Sequence, residues 1–360
     1  MNDDCLKLTI YFGERDRARG RFLADALSEI YARHRLQTSL VMRGVQGFGV
    51  KHHLRTDRLL TLSEDLPLVS VAVDARPEIE AALAEVNQLR FDGLVTLERA
   101  RMFAERIAPG GFAVDLHEDA KLTVYVGRRE RAAGGLAYEQ VVDLLHRRGI
   151  AGATVLLGVD GTAHGIRQRA KFFAANTSVP LMVVAVGEGQ RIAALLPELG
   201  ELLSRPLLTV ERLRVCKRDG QLLSVPPTLP ESDPSGLGVW QKLMVYAGEQ
   251  ARSHGQPLHH QLVRALRQEG AAGATSLRGI WGYHGEHRPH GDSFWQLRRR
   301  VALVTVIVDT PERIARWFEV VDGLTQETGL VTSEMVPAFR ATGPALTRGG
   351  LRLARLDPGS

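Results

Sequence analysis

The chain has 360 residues, 44% of them apolar and 24% charged, with a net charge of +5. That length allows two or three domains with buried cores, and the composition is too apolar for a disordered chain. No apolar run approaches the roughly 18 residues of a membrane span, and two cysteines, Cys5 and Cys216, are too few for a disulfide framework or a four-cysteine zinc site.

In chain order, the start MNDDCLKLTIYFGERD has neither the basic front nor the apolar centre of a secretory signal, so a cytoplasmic protein with reduced thiols is expected. Lys7 to Phe12 alternates as a strand, Gly20 to His34 carries apolar residues at helical spacing, and Ser39 to Arg43 is a second strand. After a loop, Leu66 to Val73 is a third strand. Pro77 stands where a helix begins, with Ile79, Leu83, Val86 and Leu89 on one face, and Leu94 to Leu97 is a fourth strand. The order βαββαβ is the ferredoxin-like arrangement.

The pattern then recurs. Leu8-Thr9-Ile10-Tyr11-Phe12-Gly13 returns as Leu122 to Gly127 and as Leu243 to Gly248, at offsets of 114 and 121, with a further glycine at Gly20, Gly134 and Gly255. At the same offsets Gly44 and Gly47 become Gly158 and Gly161, then Gly279 and Gly282. The fourth-strand motif ends in Glu98, Glu211 and Glu334. Three tandem copies are expected, at 6–102, 120–216 and 240–339, with helices near Leu136 to Arg148, Ile192 to Leu203, Pro257 to Gln268 and Pro311 to Leu324. Residues 103–119 and the proline-rich 217–239 read as linkers, and 340–360 as a flexible basic tail.

The excess charge lies between strands two and three of each copy. Residues 45–62, 159–173 and 280–300 each carry +2, leaving the remainder of the chain at −1, and they hold six of the twelve histidines. A glycine lets backbone approach a phosphate and a neighbouring arginine can bond it bidentately, so Arg43, Gly44, Gly47, Gly49 and Lys51, with Gly158 and Gly161, then Arg278, Gly279 and Gly282, are candidate nucleotide- or anion-binding residues. Bland inter-strand turns are the competing reading. Copy two has Leu157 where the others have arginine, so three clefts using it would not be equivalent. His284, His287 and His290 are weak metal candidates, because a loop with Pro289 and Gly291 fixes no geometry. Tyr11, Tyr125 and Tyr246 read as structural. The recurring glutamates read either as ion-pairing groups at an interface or as a polar contact to a ribose. No phosphate-loop, zinc-protease or nucleophile-turn motif occurs, so no catalysis is expected.

The first copy, through Ile10-Tyr11-Phe12-Gly13-Glu14, Arg43 to Gly49, Leu62-Ser63-Glu64-Asp65-Leu66-Pro67 and Gly93 to Glu98, resembles the PII-like domain of unknown function 190. Copies two and three keep the first strand, the glycine pair and the last strand, and lose the Leu-Ser-Glu-Asp-Leu-Pro segment. The resemblance implies an α+β, ferredoxin-like fold assembling as a PII-type trimer. Here that becomes an intramolecular pseudo-trimer and a monomeric chain. It also implies an adenine nucleotide (ATP, ADP or AMP) between units, no obligatory cofactor, signalling through the loops, and a membrane transporter or fluoride channel as partner. An interaction scaffold docking an acidic partner without ligand is the alternative. Nucleic-acid binding ranks last, because stacking aromatics on the strands are not evident.

Overall fold

The computed structural model describes residues 2–49, 55–56, 65–104, 118–163, 166–169, 179–284, 289–291, 301–343 and 346–353. Copy one contains β1 (Asn2–Gly13), α1 (Leu23–Arg33), β2 (Thr38–Phe48), β3 (Pro67–Ala75), α2 (Arg76–Val86) and β4 (Gly93–Phe103). Copy two repeats the series as β5 (Asp119–Gly127), α3 (Ala137–Arg147), β6 (Gly152–Ala163), β7 (Pro180–Glu188), α4 (Gly189–Leu202) and β8 (Leu208–Arg218). Copy three does so as β9 (Trp240–Gly248), α5 (Leu258–Gln268), β10 (Ala274–His284), β11 (Ala302–Asp309), α6 (Pro311–Leu324) and β12 (Leu330–Val336).

Before the first helix of each copy stands a two-residue hairpin whose turn needs two left-handed residues: Arg19-Gly20, Ala133-Gly134 and His254-Gly255, with φ between 47° and 82°. Such a turn matches the strand twist, which accounts for the recurrent glycine seven positions after the first-strand motif. In each copy the first strand lies between the third and fourth, and the second pairs the third, all antiparallel; in copy one β1 pairs β3 and β4, and β2 pairs β3.

The first strand is buried on both faces. Leu6, Leu8, Ile10 and Phe12 join α1 and α2 in the core of copy one. The alternate residues Lys7, Thr9 and Tyr11 face the opposite way, toward the middle of the molecule, as the period of two requires. Copies two and three have cores of the same kind, and a fourth apolar cluster at the centre takes residues from all three.

The copies are joined by continuous pairing. Gly44–Phe48 of β2 pairs Ala274–Leu277 of β10, Gly279–His284 of β10 pairs Gly152–Leu156 of β6, and Gly158–Ala163 of β6 pairs Thr38–Met42 of β2. The fourth strands do the same: β8 pairs the end of β4 and the start of β12. The pairing closes on itself through β3, β1, β4, β8, β5, β7, β6 and back by β2 to β3, a closed antiparallel barrel. Strand ends carry side chains into the neighbour's core: Phe48 and Cys216 into that of copy three, Tyr283 and Phe103 into that of copy two. The architecture is thus a mixed α/β fold of three repeated units.

Two expectations change. The second strand does not stop at Arg43 but runs through the glycine pair to Phe48. Glycine there signals close approach of a neighbouring strand, which a single copy cannot reveal. The segment 340–360, expected as a flexible tail, is in part a hairpin: β13 (Ala338–Gly343) pairs both β4 and β14 (Leu346–Gly350). Leu351 and Leu353 pack against the core of copy one. The linker 217–239 likewise begins as a hairpin around Asp219-Gly220 and is tied down by Ser224, which donates to Val215 O, and by Gln241, whose side chain donates to Pro227 O. Residues 105–117 lie outside the described residues.

Candidate functional site

The sequence-derived anion site divides among three seams between copies. Gly44 and Gly47 lie in β2 at the seam with copy three, Gly158 and Gly161 in β6 at the seam with copy one, and Gly279 and Gly282 in β10 at the seam with copy two. Each pair flanks a β-bulge at Val45, Val159 or Ile280. A Cβ on Gly161 would stand 2.1 Å from Ser39 O, one on Gly282 2.2 Å from Ala153 O, and one on Gly47 2.7 Å from Ala274 O. These glycines are therefore required by backbone packed against backbone. At Gly49 an added Cβ meets nothing within 4 Å.

Arg43 donates to Glu14 at 2.9 Å on the exposed rim of the first seam, and Arg278 to Glu249 at 2.7 Å in a half-buried setting. Glu14 and Glu249 each follow the first-strand motif. Copy two has Arg128 there and Leu157 opposite, so it lost both halves of the pair together. Each basic loop folds back onto its own second strand: Arg55 pairs Gly47, Arg169 pairs Asp160 and His290 pairs Gly282. Across the first seam, the His260 ring contacts the Gln46 side chain; at the next, Trp281 packs edge-on against Tyr138. Lys51 and His287, and the side chains of His284 and His290, lie outside the described residues.

The most distinctive side-chain arrangement is at the centre, where the sequence reading was incomplete. Lys7 faces Glu98 across β1 and β4, Lys121 faces Glu211 across β5 and β8, and Lys242 faces Glu334 across β9 and β12. Those pairs measure 2.9, 3.0 and 2.9 Å. Each lysine also reaches the next copy: Lys7 to Glu211, Lys121 to Glu334 at 2.6 Å, and Lys242 to Glu98 at 2.5 Å. The six residues form one closed ring of alternating charge, each 2–7% exposed.

A buried carboxyl is ordinarily pushed up by desolvation, but the ammonium groups of Lys242, Lys7 and Lys121 outweigh burial and hold Glu98 well below the usual range. Glu334 is held down by the same lysines. Conversely, burial opposes the charge on Lys7, yet Glu211, Glu98 and Glu334 together raise it. The three carboxylates come within 4.8 Å of one another, as metal ligands would. Each already faces two ammonium groups, however, so the trio is neutralised by the chain itself, and a divalent ion would have to displace lysines.

The recurring glutamates thus ion-pair between copies. Their lysine partners were missed because the repeat was aligned from Leu8; one residue earlier Lys7, Lys121 and Lys242 fall in register. Another signal was available: the chain has only six lysines against 40 arginines, and half of them are here. A compact ammonium with three donors can sit between two carboxylates and bond both. Tyr125 and Tyr246 are also buried at the centre, with Tyr11 half-buried beside them, and desolvation pushes all three phenols up. Cys5 and Cys216 are buried thiols without a disulfide.

Comparison with known proteins agrees with this repeat structure. Residues 5–102, 119–215 and 240–338 each match the family DUF190, described as an uncharacterized ACR. A UPF0166 protein of Aquifex aeolicus is 31% identical over 94 residues, covering 26% of this chain and 88% of the relative. A UPF0166 protein of Methanocaldococcus jannaschii is 32% identical over 84 residues, covering 23% of this chain and 76% of the relative. Both relatives are little longer than one copy, and neither name states an activity. With the three matches spanning most of its length, the chain belongs to the DUF190 family and carries that family's domain three times.

Proposed function

We propose that the chain is a non-catalytic PII-like regulatory protein of the cytoplasm, a single-chain pseudo-trimer of ferredoxin-like units. In this reading it binds an adenine nucleotide or similar anion at its seams and signals through the basic loops. The observation that supports it most is the placement of Arg43 and Arg278. Each stands in its second strand at a seam and pairs with a carboxylate that a ligand phosphate can replace. Copy two offers no such pair, so two sites per chain are expected. The two buried thiols accord with a reducing compartment, and among the described residues no helix is long and apolar enough to cross a membrane.

One observation favours a second reading. The seam glycines are filled by neighbouring backbone and so have little freedom to cradle phosphate. The loops would then dock on an acidic partner, such as the cytosolic face of an ion channel, without a ligand.

Isothermal titration with ATP, ADP, AMP and cyclic nucleotides decides between them. The nucleotide reading expects two binding events per chain, one lost in Arg43→Ala and both in the double variant with Arg278→Ala. Absence of heat for every nucleotide at millimolar concentration would leave the docking reading.

A further inference from the structure

Of the three hairpins that precede the first helix of each copy, that of copy one stands apart in charge. Arg15, Arg17, Arg19 and Arg21 alternate through it, and all four are exposed. At the repeat offsets the same positions are Arg129, Arg131, Ala133 and Gly135 in copy two, and Gln250, Arg252, His254 and Gln256 in copy three. Only the second position is arginine throughout, and the fold accounts for it: Arg17 donates to Gly20 O and Arg131 to Gly134 O, closing the turn. Copies two and three build the same hairpin without the full set of other arginines. Gathering them in copy one adds like-charge repulsion that its counterparts avoid, so their use lies outside the packing of the fold.

These charges remain accessible. Arg15 is tied to Asp65 through its backbone N–H, and Arg19 donates to the Gln88 carbonyl at 3.4 Å; among the described residues neither side chain meets a carboxylate. Arg21 pairs with Glu29, but both side chains are largely open to solvent, where such a pair is weak and exchanges readily. The nearby acids are engaged elsewhere, Glu14 by Arg43 and Asp16 by the N–H of Gly13.

An aromatic ring stands among them. Phe22, within the segment expected as helix, lies instead in the hairpin opposite Arg17 and is 45% exposed. The Arg17 guanidinium rests over its ring, 4.4 Å from the centroid. Guanidinium forks bond phosphate oxygens bidentately, and nucleic-acid bases stack on aromatic rings and on guanidinium planes. An acidic protein surface would use the charge and leave this flat platform idle. A membrane surface calls for apolar groups at the hairpin tip, yet the tip is Arg19-Gly20 and Phe22 is at the base. We propose that this hairpin is a docking site for single-stranded nucleic acid, with Arg15, Arg19 and Arg21 on phosphates and a base stacked on Arg17 and Phe22. The site is distinct from Arg43 and Arg278 at the seams and does not depend on nucleotide binding there.

Fluorescence anisotropy of the full chain with a labelled oligothymidylate of about 15 nucleotides tests this. Three phosphate contacts on a single strand give a log–log salt slope of about −2, so affinity should fall about twentyfold between about 50 and 200 mM salt. The triple variant Arg15→Gln, Arg19→Ala, Arg21→Gln takes residues that the other two hairpins carry at these positions, so it should keep the unfolding midpoint and lose this binding. Phe22→Leu, the residue of copy two, should weaken binding about fivefold or more while retaining the salt slope. The double variant Arg43→Ala, Arg278→Ala should bind the oligonucleotide as the unmodified chain does. No binding at low salt, binding unchanged in the triple variant, or displacement by polyglutamate as effective as by unlabelled oligothymidylate would each overturn the proposal.

Discussion

Replacing Glu211 by alanine is expected to destabilise the fold by about 3–5 kcal/mol, measured as a lower denaturation midpoint in urea, because it leaves Lys7 and Lys121 buried with one partner fewer each. The cost arises mainly from the stranded charges. Removing one member of a buried ion pair is far more damaging than never having the pair, so replacing all six ring residues by apolar ones of similar volume should recover most of the loss. Glu85, half-exposed and paired with Arg33 and His34 near the surface, is the control, and its alanine variant should cost far less. If Glu211→Ala behaved like that control, the ring would be an ornament of the interior and not what fastens copy one to copy two.

Gly161→Ala is expected to be damaging for a steric reason. The added methyl would stand 2.1 Å from Ser39 O and 2.9 Å from Leu40 Cα, backbone atoms of copy one that cannot rotate away. The strands must part, and with them the hydrogen bonds among Thr162, Ser39 and Thr38 that tie the seam. Forcing a methyl into such a contact costs about 1–3 kcal/mol, and more where pairing is broken. Gly49→Ala, with nothing within 4 Å, should cost far less. Thermal unfolding of the two variants separates a packing role for the glycines from a purely ligand-binding one. Both would be equally stable if the glycines served only a phosphate.

How much of this was legible beforehand depended on whether the cause was local. The three copies and their βαββαβ order were visible because strand alternation and helical spacing are properties of one segment at a time. Leu66 to Val73 was read within two residues of β3, and Pro311 to Leu324 matched α6. The packing of the glycine pairs was not legible for the opposite reason. Their close contacts lie in another copy's backbone, so in isolation they look like the start of a loop. The tail misled similarly, since Gly349 and Gly350 suggest disorder until β4 is seen to offer its edge to β13 and, through it, to the hairpin. At the centre, recurrence marked the glutamates but could not say which lysine each would meet. That pairing, Lys7 with Glu211 across copies and with Glu98 within one, exists only once three units close on each other.

The central claim is that one chain supplies all three units and closes the assembly by itself. The seams between the copies lie within one chain, and each lysine and each glutamate of the Lys–Glu ring meets two partners inside it. Sedimentation equilibrium of the full chain across a wide concentration range is the most direct measurement. The account predicts a single species of 39.6 kDa at every concentration; a particle of three chains that persists on dilution would contradict it.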